Sequence, residues 1–254
     1  LRGRRVAVKL PLLPRPWRTL KREDTDTILR EAELLAKLEH PNITTILAYG
    51  TRPIFWLAME FMEGGSLRGA LERYYPDGLP VKEAMLMTIQ LADALDYIHH
   101  FGVVHRDIKP SNILFTANGV PKLADLGLAK IMMRSSSSRD REKLVGTLPY
   151  MAPEQIAPDN YGPSDWRTDI WQLGVVLYEA LTGQNPFEAH TEVEVLTRII
   201  GPYQPEPPGQ VRPEVPGELD DVIALALAKN KEERYQSAAE MRDDLLTILE
   251  ALGS

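Results

Sequence analysis

His105-Arg106-Asp107-Ile108-Lys109-Pro110-Ser111-Asn112 and, thirteen residues beyond that asparagine, Asp125-Leu126-Gly127 are the stretches that decide the fold. Between them lies Asn118-Gly119, the dipeptide typical of a two-residue type I′ hairpin turn. Such a turn sets Ala117 opposite Val120 and, counted outward, Asn112 opposite Asp125. An amide oxygen and a carboxylate then meet at the open end of the hairpin, with Asp107 and Lys109 just upstream. A small set of hard oxygen donors suits Mg²⁺, which keeps much of its shell as water and phosphate. The spacing therefore predicts a magnesium–phosphate site beside a carboxylate and a lysine.

Upstream, Arg5-Val6-Ala7-Val8-Lys9-Leu10 alternates and predicts a strand, with Val6, Val8 and Leu10 on one face and Ala7 and Lys9 on the other. After a proline-bearing loop, a helix is expected from about 25 to 38, its inward stripe being Ile28, Glu31, Leu35 and Leu38. A carboxylate within an apolar stripe requires a nearby cation. Residues 55–61 read as another strand, and Gly64-Gly65 as a break between lobes. Downstream, a helix over 81–100 has the stripe Ala84, Met87, Leu91, Leu95 and Ile98. A second, over 169–182, is apolar nearly all round and ends at Gly183, the pattern of a helix at the centre of a lobe. The proline-rich stretch 201–217 reads as a surface loop. A last helix starts at Ser237, with Glu240 at capping-box spacing.

Composition narrows the function classes. With 254 residues, 44% apolar and 26% charged, the chain can form two lobes around a cleft. A net charge of −7 argues against nucleic acid as a partner. The absence of cysteine excludes a disulfide scaffold, a thiolate zinc site and cysteine catalysis. No apolar run has the length of a membrane span and no secretory leader is visible, so a cytoplasmic setting is expected. Leucine at position 1 suggests a fragment or processed chain.

From Val6 to about Leu249 the motifs resemble, in order, those of eukaryotic-type (Hanks-type) serine/threonine protein kinases, and most closely bacterial members. Val6-Ala7-Val8-Lys9 comes first, then Glu31, the 60–62 hinge, the catalytic loop and Asp125-Leu126-Gly127. Gly146-Thr147-Leu148-Pro149-Tyr150-Met151-Ala152-Pro153-Glu154, Asp169 and Arg234 complete the set. The resemblance implies an α+β, two-lobed fold: a partial small lobe over 1–61, a hinge at 62–64 and a mainly helical large lobe over 65–254. It implies that ATP and Mg²⁺ bind in the cleft and that the γ-phosphoryl group passes to serine or threonine hydroxyls of protein substrates. In these terms Asp107 accepts or orients the hydroxyl proton, and Lys109 neutralises the migrating group. Asn112 and Asp125 hold the metal. Lys9 grips the α- and β-phosphates and pairs with Glu31. Ala7 and Leu114 line the adenine pocket, Met59 is the gatekeeper, and the backbone of Glu60 to Met62 receives the base. Lys109 and Thr147 resemble the serine/threonine branch. Arg106 suggests control by activation-segment phosphorylation, with the serine run 135–138 as candidate acceptors. Glu154 is expected to salt-bridge Arg234.

Two departures stand out. Nothing matches the family's glycine-rich loop before the lysine strand, so the first strand is expected to have a naked edge and weakened ATP binding. Leu126 replaces the usual phenylalanine, still an apolar plug. His105 reads as a core residue bracing the loop; Asp169 reads as a helix cap, and the resemblance implies that it also holds the loop backbone, the two roles being compatible. A kinase-like scaffold without catalysis is the first rival; its usual sign is loss of the lysine or an aspartate, yet Lys9, Asp107 and Asp125 are all there. A small-molecule phosphotransferase is the second, disfavoured by the intact 146–154 segment. The absence of acids at Ser66 and Ser111 predicts no strong preference for basic substrates.

Overall fold

The computed structural model describes residues 3, 5–10, 22–52, 54–126 and 146–253, and within 22–31 the side chains of Asp26, Leu29 and Arg30 alone. Strands β1 (Val6–Lys9), β2 (Ile46–Gly50) and β3 (Trp56–Glu60) form an antiparallel sheet in the order β1-β3-β2. Ala7 faces Met59 and Lys9 faces Leu57 across the β1–β3 pair. The alternation of β1 has its physical meaning here: Val8 and Leu10 are 57% and 55% exposed, while Ala7 and Lys9 lie half-buried on the cleft side. Strand β2 was not expected from the sequence; a bulge between Ile46 and Ala48 breaks its period. Helix α1 (Arg22–Ala36) is shifted toward the N-terminus of the span expected, with Leu35 and Leu38 buried. The side chains of Ile28 and Glu31 lie outside the described residues.

The rest is mainly helical: α2 (Leu67–Arg73), α3 (Val81–His100), a hairpin of β4 (Ile113–Phe115) and β5 (Pro121–Leu123), α4 (Pro153–Ile156), α5 (Pro158–Tyr161), α6 (Arg167–Thr182), α7 (Glu192–Ile200), α8 (Pro208–Val211), α9 (Gly217–Ala226) and α10 (Ala238–Gly253). Helix α3 has the bounds its stripe predicted, and that stripe is buried where the helix meets α6 and α10. Every residue of α6 is buried, which explains its all-round apolar character. It stops at Gly183, whose φ of +73° needs no side chain there; an added Cβ would lie 2.0 Å from the Pro76 carbonyl oxygen. The proline-rich stretch includes a single turn, α8, whose Pro208 is buried, so it is more than a surface loop. At Ser237 the hydroxyl accepts from the Glu240 amide at 3.2 Å, while Glu240 Oε2 accepts from the Gln236 amide at 2.7 Å, one residue earlier than in an ideal capping box.

The β4–β5 hairpin corrects the expected register by one residue. Ile113 faces Leu123 and Phe115 faces Pro121, which places Asn112 level with Ala124 and not with Asp125. A type I′ turn needs positive φ at both Asn118 and Gly119, and of the two only Gly119 has it, at +79°. The chain instead makes a three-residue loop. The Gly119 amide donates to the Thr116 carbonyl at 3.0 Å, and Thr116 Oγ1 accepts from the Val120 amide at 3.1 Å. The hydroxyl of Thr116 thus stabilises the wider loop.

Candidate active site

Residues 105–109 are irregular, so their backbone groups need partners from elsewhere. Helix α6 supplies them. Asp169, fully buried, accepts from the His105 amide at 2.8 Å and the Arg106 amide at 2.6 Å, and His99 Nε2 lies 2.8 Å from its Oδ2. It is therefore an anchor for the loop, and the N-cap of α6 is Trp166. Gln172 accepts from the Ile108 amide at 2.9 Å and donates to the Arg106 carbonyl at 3.2 Å, to which Gln155 also donates at 3.0 Å. His105 is fully buried, with Nε2 2.9 Å from the Ala124 carbonyl, the bracing role its apolar neighbours suggested. Together these bonds hold Arg106 at φ +63°, a conformation a non-glycine residue keeps only where its surroundings over-determine it.

This loop presents the reactive groups. Lys109 Nζ lies 2.9 Å from Asp107 Oδ1 and donates to Thr147 Oγ1 at 2.6 Å. Asn112 Nδ2 donates to the Asp107 carbonyl at 2.7 Å and to Asp107 Oδ2 at 2.9 Å. With the N–H side of the amide turned to Asp107, Oδ1 is the function left for a ligand. Asp125 follows β5 at φ +66°, so a kink and not the hairpin register aims its side chain. Its Oδ1 lies 2.6 Å from Lys9 Nζ. The two groups, Asp107 with Lys109 and Asn112, and Lys9 with Asp125, are joined through the backbone by the Ala124 amide donating to the Asn112 carbonyl at 2.8 Å. The expected Lys9–Glu31 pair lies outside the described residues at its glutamate end.

On the other side of the cleft, Met59 stands opposite Ala7, Met62 is buried, and Leu114 bridges to Ser66. The hinge is tied to β4 by the Gly64 amide donating to the Phe115 carbonyl at 2.9 Å and the Phe115 amide donating to the Gly65 carbonyl at 2.8 Å.

Two buried polar groups brace the segment after the cleft. Glu154 and Arg234 form a bidentate pair at 2.7 and 2.8 Å with both side chains fully buried, as expected, and Thr168 Oγ1 donates to Glu154 at 2.7 Å. Burial pushes the Glu154 carboxyl up, but Arg234 outweighs it and holds the group below the usual carboxylate range. Glu179 on α6 accepts from Arg68 at 2.8 Å and from the Tyr150 hydroxyl at 2.6 Å; burial raises both Glu179 and Tyr150 above their ordinary values. The sequence reading did not single out Gln155, Gln172, Arg68 or Glu179. Gln172 and Glu179 carried a readable signal, since a polar residue inside an all-apolar helix must have a partner.

The donor set fits a hard divalent cation. Asn112 Oδ1 and the Asp125 carboxylate are oxygen donors, and a lysine cation already stands at that carboxylate. Among the described residues no group of three or more His, Cys, Asp or Glu could hold a metal, so a cation here would need phosphate and water to complete its shell.

Comparison with known proteins identifies the family of the chain. A family model described as "Protein kinase domain" matches residues 2–246. The chain is 37% identical over 224 residues to the serine/threonine-protein kinase PknB of Mycobacterium leprae, covering 86% of this chain and 35% of that one. It is 38% identical over 220 residues to a probable serine/threonine-protein kinase of Clostridium perfringens, covering 86% and 31% respectively. A probable serine/threonine-protein kinase of Streptomyces coelicolor is 35% identical over 227 residues, covering 87% and 33%. The chain spans about a third of the length of these curated relatives.

Proposed function

Since the chain belongs to the protein kinase family, we propose that it transfers the γ-phosphoryl group of ATP to serine and threonine hydroxyls of protein substrates. The observation that carries the reading is the arrangement around Asp107: a carboxylate flanked by Lys109 at 2.9 Å, which also reaches Thr147, and by the amide of Asn112 at 2.9 Å. Phosphoryl transfer depends on positioning and charge neutralisation more than on covalent help. ATP is the phosphoryl donor, and Mg²⁺ held by Asn112 and Asp125 would supply neutralisation of the phosphate charge.

The residues do the rest. Asp107 orients the acceptor hydroxyl and takes its proton. Lys109 holds that carboxylate and is placed to meet negative charge arriving beside it. Asn112 and Asp125 offer the oxygens that hold the metal. Lys9 holds the α- and β-phosphates, leaving Asp125 as it does so, with Glu31 as its expected partner. Ala7, Met59 and Leu114 enclose the adenine, and the backbone of Glu60 to Met62 receives its polar edge. The small lobe is assigned to 1–61, the hinge to 62–64 and the large lobe to 65–254. Among the described residues no helix is long and apolar enough to cross a membrane. Use of ATP as donor supports a cytoplasmic setting. Arg106 Nε is buried with no hydrogen-bond partner among the described residues, which supports control by a phosphate on the activation segment; the candidate serines at 135–138 lie outside the described residues.

The test is transfer from radiolabelled ATP with magnesium to a generic protein acceptor, comparing the protein with Asp107→Asn. The expected loss is about 10²–10⁴-fold, the range for removing a general base, with the folded state kept. Undiminished transfer by the variant would remove Asp107 from this role. A wild-type protein that binds ATP yet transfers nothing would favour the scaffold reading.

A further inference from the structure

We propose that the Glu60–Lys122 ion pair is a latch between the two lobes that fixes the hinge backbone and thereby sets nucleotide affinity. The proposal rests on the kinase reading above. Glu60 is the last residue of β3. Lys122 is the middle residue of β5, level with Leu114 across the hairpin and three positions before Asp125. Glu60 Oε1 accepts from Lys122 Nζ at 2.7 Å and from the Thr45 amide at 2.8 Å, and Lys122 Nζ also donates to the Ile43 carbonyl at 3.3 Å. Three segments of the chain thus converge on one carboxylate and one ammonium: the end of β3, the stretch between α1 and β2, and β5.

The pair is no surface decoration. Its side chains are 12% exposed at Lys122 and 28% at Glu60, so it is screened less than an open pair. Burial works against the Glu60 charge, but Lys122 and the Thr45 amide outweigh it and keep the carboxylate ionised at neutral pH. The neighbouring backbone is stitched in the same direction. The Leu123 amide donates to the Asn42 carbonyl at 2.8 Å, and the Thr44 amide donates to the Leu123 carbonyl at 2.9 Å. On the far flank, Gly64 and Gly65 bond Phe115 of β4. The hinge therefore hangs between two anchors on the same hairpin: backbone bonds to β4 at 64–65 and the ion pair to β5 at Glu60. Lys122 is a positioning residue acting through Glu60, on a strand that runs on into Asp125. Loss of the ion pair frees the hinge entry, and a ligand must then order it at the cost of its own binding energy.

Two measurements on the protein and its variants Lys122→Met and Lys122→Arg test this. The first is hydrogen exchange without nucleotide. Lys122→Met should speed exchange of the Thr45 amide and of the hinge amides at 61–64, and Lys122→Arg should restore protection. Unchanged exchange in Lys122→Met overturns the latch, whatever the protein's activity. The second is the equilibrium affinity for a fluorescent ATP analogue with magnesium, alongside KM for ATP and kcat. Lys122→Met should weaken binding and raise KM about tenfold, the scale of one charge-assisted hydrogen bond, with kcat changed less than about twofold. Lys122→Arg should bind like wild type. A fall in kcat at constant KM, or equal weakening in both variants, overturns the assignment. A wild-type protein that binds no nucleotide sinks the kinase reading and the nucleotide half of the proposal, while the exchange arm still judges the latch itself.

Discussion

The catalytic loop is held in two different ways at its two sides. Toward α6 it is anchored by a charge wholly out of water, Asp169 with three donors, and the same side of the molecule carries the Glu154–Arg234 pair, which braces the segment after the cleft with both side chains fully buried. Toward the small lobe, among the described residues, Asp125 forms an ion pair with Lys9, and the two side chains are 32% and 33% exposed respectively. A buried charge with several partners cannot leave without stranding them. A third-exposed charge can exchange its partner for water or for a ligand at little cost. The first arrangement suits a fixed frame, and the second a site that must open to admit phosphates and a metal.

The largest expected effect on stability is therefore on the α6 side. Arg234→Met leaves the Glu154 carboxyl buried without its bidentate partner and should destabilise the fold by ~3–5 kcal/mol in urea denaturation. Adding Glu154→Leu should recover part of that loss, because a well-packed apolar replacement of a whole buried pair is often neutral. If the single variant lost less than about 1 kcal/mol, the pair would behave like a surface contact and the contrast would break.

A smaller effect should appear with pH. The folded-state carboxyl of Glu154 titrates below its ordinary value of 4.5. Its stabilisation is thus complete above about pH 4.5 and is lost as the pH falls through the folded value. The wild type should lose stability on acidification below that point faster than Glu154→Gln, which has no charge to lose. Glu60 and Asp165 are also held low, by Lys122 and by Arg167 respectively against the opposing effect of burial, so the difference between the two proteins is the quantity to measure. Parallel acid profiles would mean that the Arg234 contact adds nothing to the carboxylate form.

The same contrast explains what could be read from the sequence. The α6 side was legible where periodicity and composition act locally. The α3 stripe gave that helix its bounds, and the apolar circumference of α6 with Gly183 behind it marked a central helix. The motif residues of the loop were legible as residue types, and His105, Asp107, Lys109 and Asn112 lie within one short segment. What was hidden depends on partners far along the chain. Gln155 and Gln172 both reach the Arg106 carbonyl, and Lys122 reaches Glu60 across 62 positions. The hairpin register was missed because Asn118-Gly119 is compatible with two loop lengths, and the choice lay with Thr116 and with φ at Asn118. The bulged β2 lacked the period that announces a strand.

The smallest expected effect on stability is at the open side. Lys9→Met removes the ammonium 2.6 Å from Asp125, yet the carboxylate it leaves is exposed enough to be solvated. The cost should be within the ~0–1 kcal/mol of an exposed pair, and thermal unfolding of variant and wild type should nearly coincide. Nucleotide binding should move the other way. If Lys9 exchanges Asp125 for phosphate, Lys9→Met should weaken ATP binding or transfer strongly while the melting curve stays in place. A small change in stability with a large change in nucleotide handling is the signature of a contact kept for exchange. A loss of several kcal/mol from Lys9→Met would instead make the pair part of the frame, and the two sides of the loop would no longer differ in kind.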